Sequence, residues 1–251
     1  LYQKALKKQT PTKNTLFEIV KPIQEYTSAK TSINGKQNKV PALFHNPSFI
    51  PGKTNLDVGG GESDLVTDYL STKGVTNLVY DPYNRTDEHN KSVIDAIEKA
   101  EGADTTTCSN VLNVIKGIVG RAVVIRNCFN NLKNGGTSYF TTYEGDKTSV
   151  GKVTQGGESY QTNMPLKEYI SEIESVYGKG NVTIKNGMII AVRQSARTRE
   201  TLFETGLEEL ARRAKEPGTV IKKPGVNPAR DVQVPEYTKD GRRVPNLART
   251  M

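Results

Sequence analysis

Between Thr54 and Arg193 short apolar runs alternate with stretches of helical spacing, and this alternation restricts the possible folds more than any other feature of the chain. Strands are expected at Thr54 to Val58, Asn77 to Tyr80, Asp104 to Ser109 and Thr137 to Tyr143. Helices are expected at Ser63 to Ser71, Lys91 to Ala100 and Gly120 to Leu132, the last closed by Asn134-Gly135-Gly136. Strands separated by helices of about 10 residues need crossover connections, which gives an α/β fold with a mostly parallel sheet. Gly145 to Tyr160 is polar and Gly-rich, and reads as an insertion that need not be regular. Pro165 to Tyr177 carries Leu166, Tyr169, Ile170, Ile173 and Val176 at helical spacing. Asn186-Gly187, between Asn181 to Lys185 and Met188 to Arg193, predicts an antiparallel hairpin, because both central residues of that turn need positive φ.

The segments outside this core differ in texture. Residues 1–53, rich in Lys, Thr, Asn and Gln, read as a basic leader that is irregular or partly helical, followed by the body at 54–195. Residues 196–215 have helical spacing through Leu202, Phe203, Leu207 and Leu210. Five of the twelve prolines fall in 216–251, which reads as an extended basic tail, since proline removes backbone donors and fixes φ. Charge follows the same division: eight Lys oppose two Glu in residues 1–40, and twelve basic residues oppose eight acidic ones in 196–251. The body between is left near neutral although the whole chain carries +8. Basic arms of this kind suit a DNA or RNA partner, because they neutralise phosphates and release counterions. Lys4, Lys7, Lys8, Lys222, Lys223, Arg242 and Arg243 would make such contacts, but only Tyr2 and Tyr237 lie among them, so base stacking is not part of the expectation.

Composition excludes other classes. No apolar run approaches the roughly 20 residues that cross a bilayer, so no membrane span is expected. The two cysteines, Cys108 and Cys128, exclude a disulfide framework and a Cys-based zinc site, no metal site is expected, and a cytoplasmic setting follows. Leu1 in place of Met reads as a trimmed start.

The segment Asn55-Leu56-Asp57-Val58-Gly59-Gly60-Gly61-Glu62-Ser63 carries the most chemistry. A strand ends there, three glycines turn the chain without side chains, and a helix begins, so bare backbone and helix amides face an incoming ligand. Twenty residues after Gly61, at the end of the next strand, stands Asp81, followed by Pro82. An acid at this spacing can accept hydrogen bonds from both hydroxyls of a ribose. No Gly-Lys-Ser/Thr follows the glycines, which sets aside an ATPase-type phosphate loop.

Asp57-Val58-Gly59-Gly60-Gly61 resembles the first-strand motif of class I S-adenosylmethionine-dependent methyltransferases. Ala103 to Asn113 is similar to that family's fourth strand and following loop, and Arg121 to Thr142 to its helix, Gly-Gly turn and fifth strand. With Tyr143-Glu144-Gly145-Asp146 and Gly157 to Tyr169, the pattern further resembles uncharacterised phage-encoded methyltransferases, which would act in a host cytoplasm. The resemblance implies a Rossmann-like sheet of the seven-stranded type, with S-adenosylmethionine as cofactor. Since only about twenty residues separate Asp81 from Asp104, the third strand is expected to be short or absent. By position, Gly59, Gly60 and Gly61 would lie along the methionine part, Asp57 would order the turn, and Asp81 with Pro82 would hold the ribose. Ser109 and Asn110 would border the sulfonium.

The acceptor is less constrained, because methyl transfer asks mainly for positioning and a dry pocket. The tetrapeptide usual for methylation of exocyclic base amines is missing after the fourth strand, where Cys108-Ser109-Asn110-Val111 stands, while Asp81-Pro82-Tyr83-Asn84 follows the second strand instead. Cys108 lacks the preceding proline of a cytosine C5 nucleophile and reads as a buried small residue, as does Cys128. His45 and His89 are candidate bases, with His89 placed in a solvated loop. Asn110, Tyr143 and Glu144 are the candidate catalytic or acceptor-contacting residues, the last two following the fifth strand. Three functions remain open: a nucleic-acid methyltransferase, a methyltransferase of small molecules or proteins, and a catalytically silent nucleic-acid-binding or virion assembly protein.

Overall fold

A computed structural model describes residues 19–26, 39–153 and 157–194. The expected helix at 196–215 and the tail at 216–251 lie outside them, as do Lys4, Lys7, Lys8, Lys222, Lys223, Arg242 and Arg243. The described chain folds into strands β1 (Thr54–Val58), β2 (Thr76–Tyr80), β3 (Ala103–Ser109), β4 (Leu132–Thr141), β5 (Gly151–Val153), β6 (Tyr160–Thr162), β7 (Val182–Lys185) and β8 (Met188–Val192). Helices α1 (Leu65–Ser71), α2 (Asp87–Lys99), α3 (Ile118–Asn130) and α4 (Ile170–Tyr177) connect them.

Six strands form one sheet in the order β2-β1-β3-β4-β8-β7. Neighbours from β2 to β4 are parallel, and β8 and β7 run antiparallel. This is the expected Rossmann-like arrangement, with β2 at the edge and no strand beyond it among the described residues. The chain between β2 and β3 holds one loop and the 13-residue α2, which leaves no length for the third strand of a seven-stranded sheet. Asn186 (φ 50) and Gly187 (φ 70) make the β7–β8 turn with the positive φ values that the dipeptide requires.

Alternation along the strands sorts the core into two layers. Leu56, Val58, Cys108 and Phe140 face one side, against Val93 and Ile97 of α2, Val124 and Cys128 of α3, and Ile173 and Tyr177 of α4. Tyr139 and Met188 face the other, against Val66 and Leu70 of α1 and against Leu43, Phe44 and Phe49. The last three belong to the leader, so the packing of the body starts before Thr54. Helix α2 begins at a Thr86 cap whose hydroxyl accepts from the His89 amide, with Asp87 and Glu88 in the first turn and Lys99 in the last, complementing the helix dipole at both ends.

Two elements differ from the sequence reading, and a third is more regular than that reading required. Helix α3 ends at Asn130, and Asn134-Gly135-Gly136 lies inside β4 instead of closing the helix. Pairing advances from Ala103↔Leu132 to Thr105↔Thr137, so β4 bulges there, and Gly135 (φ +80) supplies the left-handed residue. The insertion at 145–160 is partly regular, because β5 and β6 pair as a hairpin. His89 sits in α2, not in a loop, and its Nε2 donates to the Val79 carbonyl at 2.9 Å.

Candidate functional site

Strand β1 lies between β2 and β3, so the chain leaves β1 toward one side and returns on the other. The loops at the carboxyl ends of β1 and β3 therefore diverge and open a crevice, the usual ligand position in such sheets. A buried polar ladder crosses the sheet beneath it. Asn55 Nδ2 donates to Asn77 Oδ1 at 2.8 Å and Thr107 Oγ1 at 3.0 Å, Thr105 Oγ1 donates to Asn55 Oδ1 at 2.8 Å, and Thr107 Oγ1 donates to Asp57 Oδ1 at 2.8 Å. Buried polar groups persist only when partnered, and this ladder fixes the Asp57 carboxylate at the head of β1. Burial raises the Asp57 pKa to about 7, against the opposing hydrogen bond from Thr107, with the nearby Asp81 adding to the rise.

Above Asp57 the glycine turn is as bare as its sequence implies. Gly59 and Gly61 both have φ +78. A Cβ on Gly60 would stand 2.5 Å from Asp57 Oδ2 and 2.9 Å from Val79 Cγ1, and one on Gly59 would stand 2.7 Å from Val111 Cγ2. The turn is tied to the next strand end. Gly59 N donates to the Tyr80 carbonyl at 2.8 Å, and Gly61 N donates to Asp81 Oδ2 at 2.9 Å. Asp81 also accepts from the amides of Tyr83 and Asn84 and from Asn84 Nδ2, each at 3.0 Å. A carboxylate offers about four lone-pair sites, so these four donors occupy them all. Arg85 completes the clamp through Nε to the Gly61 carbonyl (2.8 Å) and NH2 to Asp64 (2.7 Å).

These elements border a cleft of about 310 Å³, which brings together Asp57, Gly59, Gly60, Gly61, Asp81, Pro82, Ser109, Asn110 and Tyr143. Of the residues singled out from the sequence, Glu144 and the two candidate bases His45 and His89 lie outside its lining. Asn110 has φ 57 and its amide donates to the Thr141 carbonyl at 2.8 Å, so the loop after β3 is pinned to the end of β4. The far wall comes from residues the sequence reading missed. Pro22 and Gln24 of the leader line the cleft, held by Tyr83, whose hydroxyl donates to the Pro22 carbonyl and accepts from Gln24 N. Asn127 of α3 pairs with the Val20 backbone through both amide atoms, at 2.9 and 2.7 Å. No local signal marks these contacts, which join positions as far as 107 residues apart.

A second, more open cavity of about 940 Å³ shares Pro41, Ser109, Asn110 and Tyr143 with the first. Lys39, His45, Glu144 and Lys147 also line it. Glu144 accepts from the Leu166 amide at 2.6 Å and pairs with Lys147 at 3.3 Å, and the backbone bond chiefly holds its carboxyl below the usual range. His45 Nδ1 and the Tyr69 hydroxyl are 3.1 Å apart. Cys108 and Cys128 are both free and buried in the core, and a hydrogen bond between them together with burial pushes the Cys108 thiol up, which removes it as a nucleophile. Among the described residues no helix is long and apolar enough to cross a membrane.

The sequence matches no protein-family model and no curated protein. Partial overlap exists with solved structures. An O-methyltransferase family protein from Burkholderia thailandensis is 15% identical with a TM-score of 0.39, covering 57% of this chain and 52% of that one. The structure of PigF with SAH is 11% identical at a TM-score of 0.39, covering 56% and 50%. SibL, an S-adenosylmethionine-dependent methyltransferase in its apo form, is 15% identical at 0.42, covering 66% and 55%. This chain thus spans about half the length of each, and overlap of that extent leaves any function to be read from the cleft itself.

Proposed function

We propose that the chain is an S-adenosylmethionine-dependent methyltransferase, with the nucleoside in the cleft at the ends of β1 and β2 and the methyl acceptor in the adjoining cavity. One observation carries this reading: a turn of bare backbone at Gly59–Gly61, beside two carboxylates, opens through a shared wall of Asn110 and Tyr143 onto a second cavity. When bound, S-adenosylmethionine supplies an electrophilic methyl carbon. The residues fit such a group. The glycines keep the backbone bare, since a Cβ on Gly59 or Gly60 would collide with Val111, Asp57 or Val79, and the Asp57 carboxylate beneath suits a cationic end. Asp81 orders the glycine turn and its own loop, and a ribose would reach it by exchange with Asn84 Nδ2, the one side-chain donor among its four. Asn110 and Tyr143 border both cavities and so would position the acceptor. Glu144, held charged by Leu166 N and Lys147, shapes the acceptor side and is a weak proton acceptor.

Nucleic acid is the acceptor class that the basic composition of residues 1–40 and 196–251 supports, and the likeness to phage-encoded enzymes rests on the motifs given above. A catalytically silent, nucleic-acid-binding or virion assembly body is the rival, favoured by the four internal hydrogen bonds of Asp81. Incubation with labelled methyl donor and separated DNA, RNA, protein and metabolite fractions distinguishes them. Label is expected in nucleic acid and is expected to vanish with Gly60→Val. Label confined to protein or metabolites would replace the acceptor class, and label in no fraction would favour the silent body.

A further inference from the structure

Among the described residues, one polar group of the cleft is buried without a partner. Asn113 lines the cleft and is 2% exposed, and its Oδ1 is buried with no hydrogen-bond partner. A buried acceptor left unpaired costs free energy comparable to a lost hydrogen bond, so its retention calls for an explanation. Several other polar side chains of the cleft are held by their own chain. Both amide atoms of Asn127 hold the Val20 backbone, Asn84 Nδ2 is bound to Asp81, and Gln161 Nε2 donates to Asn163. Apolar lining is supplied by Val114 and Ile115, which follow Asn113 in the chain, by Val124 on α3, and by Pro22 from the leader.

We infer that Asn113 reads the base of the nucleoside by accepting a hydrogen bond from the exocyclic amine of adenine. A cleft with apolar walls and, among the described residues, one buried unpartnered side-chain oxygen suits a flat heteroaromatic ring bearing an N–H donor, whereas an ammonium or a phosphate would be stripped of water there without adequate partners. The glycine turn and Asp57 serve the charged end of the ligand. Among the described residues, the loop after β3 and the leader supply cleft wall. This inference rests on the cofactor reading above and names a specificity determinant for it.

The test is a calorimetric comparison of S-adenosylhomocysteine with its analogue carrying purine, which lacks the 6-amine. A site built to bond a donor rejects the ligand that lacks it, so the intact chain should bind the adenine compound at least about tenfold more tightly. Asn113→Leu, close in volume, should bring the ratio near one. It should leave the melting temperature of the ligand-free protein unchanged or raised, since an unpaired buried acceptor is replaced by an apolar group. Asn113→Ala, which adds no bulk, should flatten the ratio too, so the result does not hang on how Leu packs. An equal affinity of the intact chain for both ligands, or variants that keep the preference, would overturn the assignment of Asn113 and leave the nucleoside site standing. Binding of neither ligand by the intact chain would overturn the cofactor reading, and this inference with it.

Discussion

The cleft and the cavity beside it share four residues but are constructed by opposite means. Around the cleft, Asp57 and Asp81 are buried and hydrogen-bonded within their own chain, and Gly59 and Gly60 lie so close to neighbours that a methyl group would not fit. Around the cavity, Tyr143 is 53% exposed, and the ion pair of Glu144 with Lys147 is open to solvent. Preorganisation of this kind belongs to a ligand that does not vary, because fixed geometry removes the cost of ordering on each binding event. The open side suits an acceptor that brings part of the site with it.

The largest effect should come from the glycine cradle. Gly60→Val places carbon where Asp57 Oδ2 and Val79 already stand and should weaken S-adenosylhomocysteine binding by at least about 100-fold in calorimetry, the equivalent of roughly 3 kcal/mol. Wild-type affinity in that variant would break the contrast between the two regions. Asp81→Ala comes next. It strands the donors of Gly61, Tyr83 and Asn84, so unfolding stability should fall by about 3 kcal/mol, measured by denaturant melts. Glu144→Ala removes an exposed ion pair and one backbone contact and should cost about 1 kcal/mol, and equal losses in the two variants would contradict the comparison.

The two carboxylates should also respond to pH in opposite senses. Asp57 has its folded pKa raised to about 7 from 3.8, so its own contribution to stability is greatest below the unfolded value and is lost as pH rises toward 7. The melting temperature of Asp57→Asn, relative to wild type, should therefore climb between about pH 4 and 7 and level off above. Glu144 has its folded pKa lowered, so its contribution is present above the unfolded value and is lost on acidification, and Glu144→Gln should approach wild type at acid pH. Parallel pH curves for the two variants would remove the burial account of Asp57. The smallest effect concerns the shared wall: Tyr143→Ala should leave S-adenosylhomocysteine affinity within about twofold while slowing methyl transfer.

Much of this was legible in the sequence because it is local. The alternation of runs gave the strand order its parallel half, Asn186-Gly187 marked the hairpin, and the spacing from Gly61 to Asp81 placed two strand ends together, where Gly61 N and Asp81 Oδ2 are in fact bonded. What escaped depends on tertiary contact or on ambiguous signals. Asn134-Gly135-Gly136 reads equally as a helix stop or a strand bulge, and only pairing with Ala103 and Thr105 decides it. Thr86-Asp87-Glu88 is a helix-start signal that would have put His89 in α2. Pro22, Gln24 and Asn127 reach the cleft through long-range bonds that no spacing reveals, and Asn113 stands out only once its oxygen is seen to have no partner among the described residues.

The central claim is that a sulfonium nucleoside lies across the ends of β1 and β2. A crystal structure grown with S-adenosylhomocysteine tests it most directly. The account predicts the amino-acid part of the ligand against Gly59–Gly61, its sugar beside Asp81 and its base beside Asn113. A cleft without ligand at saturating concentration, or ligand held instead in the cavity of Lys39 and Glu144, would contradict it.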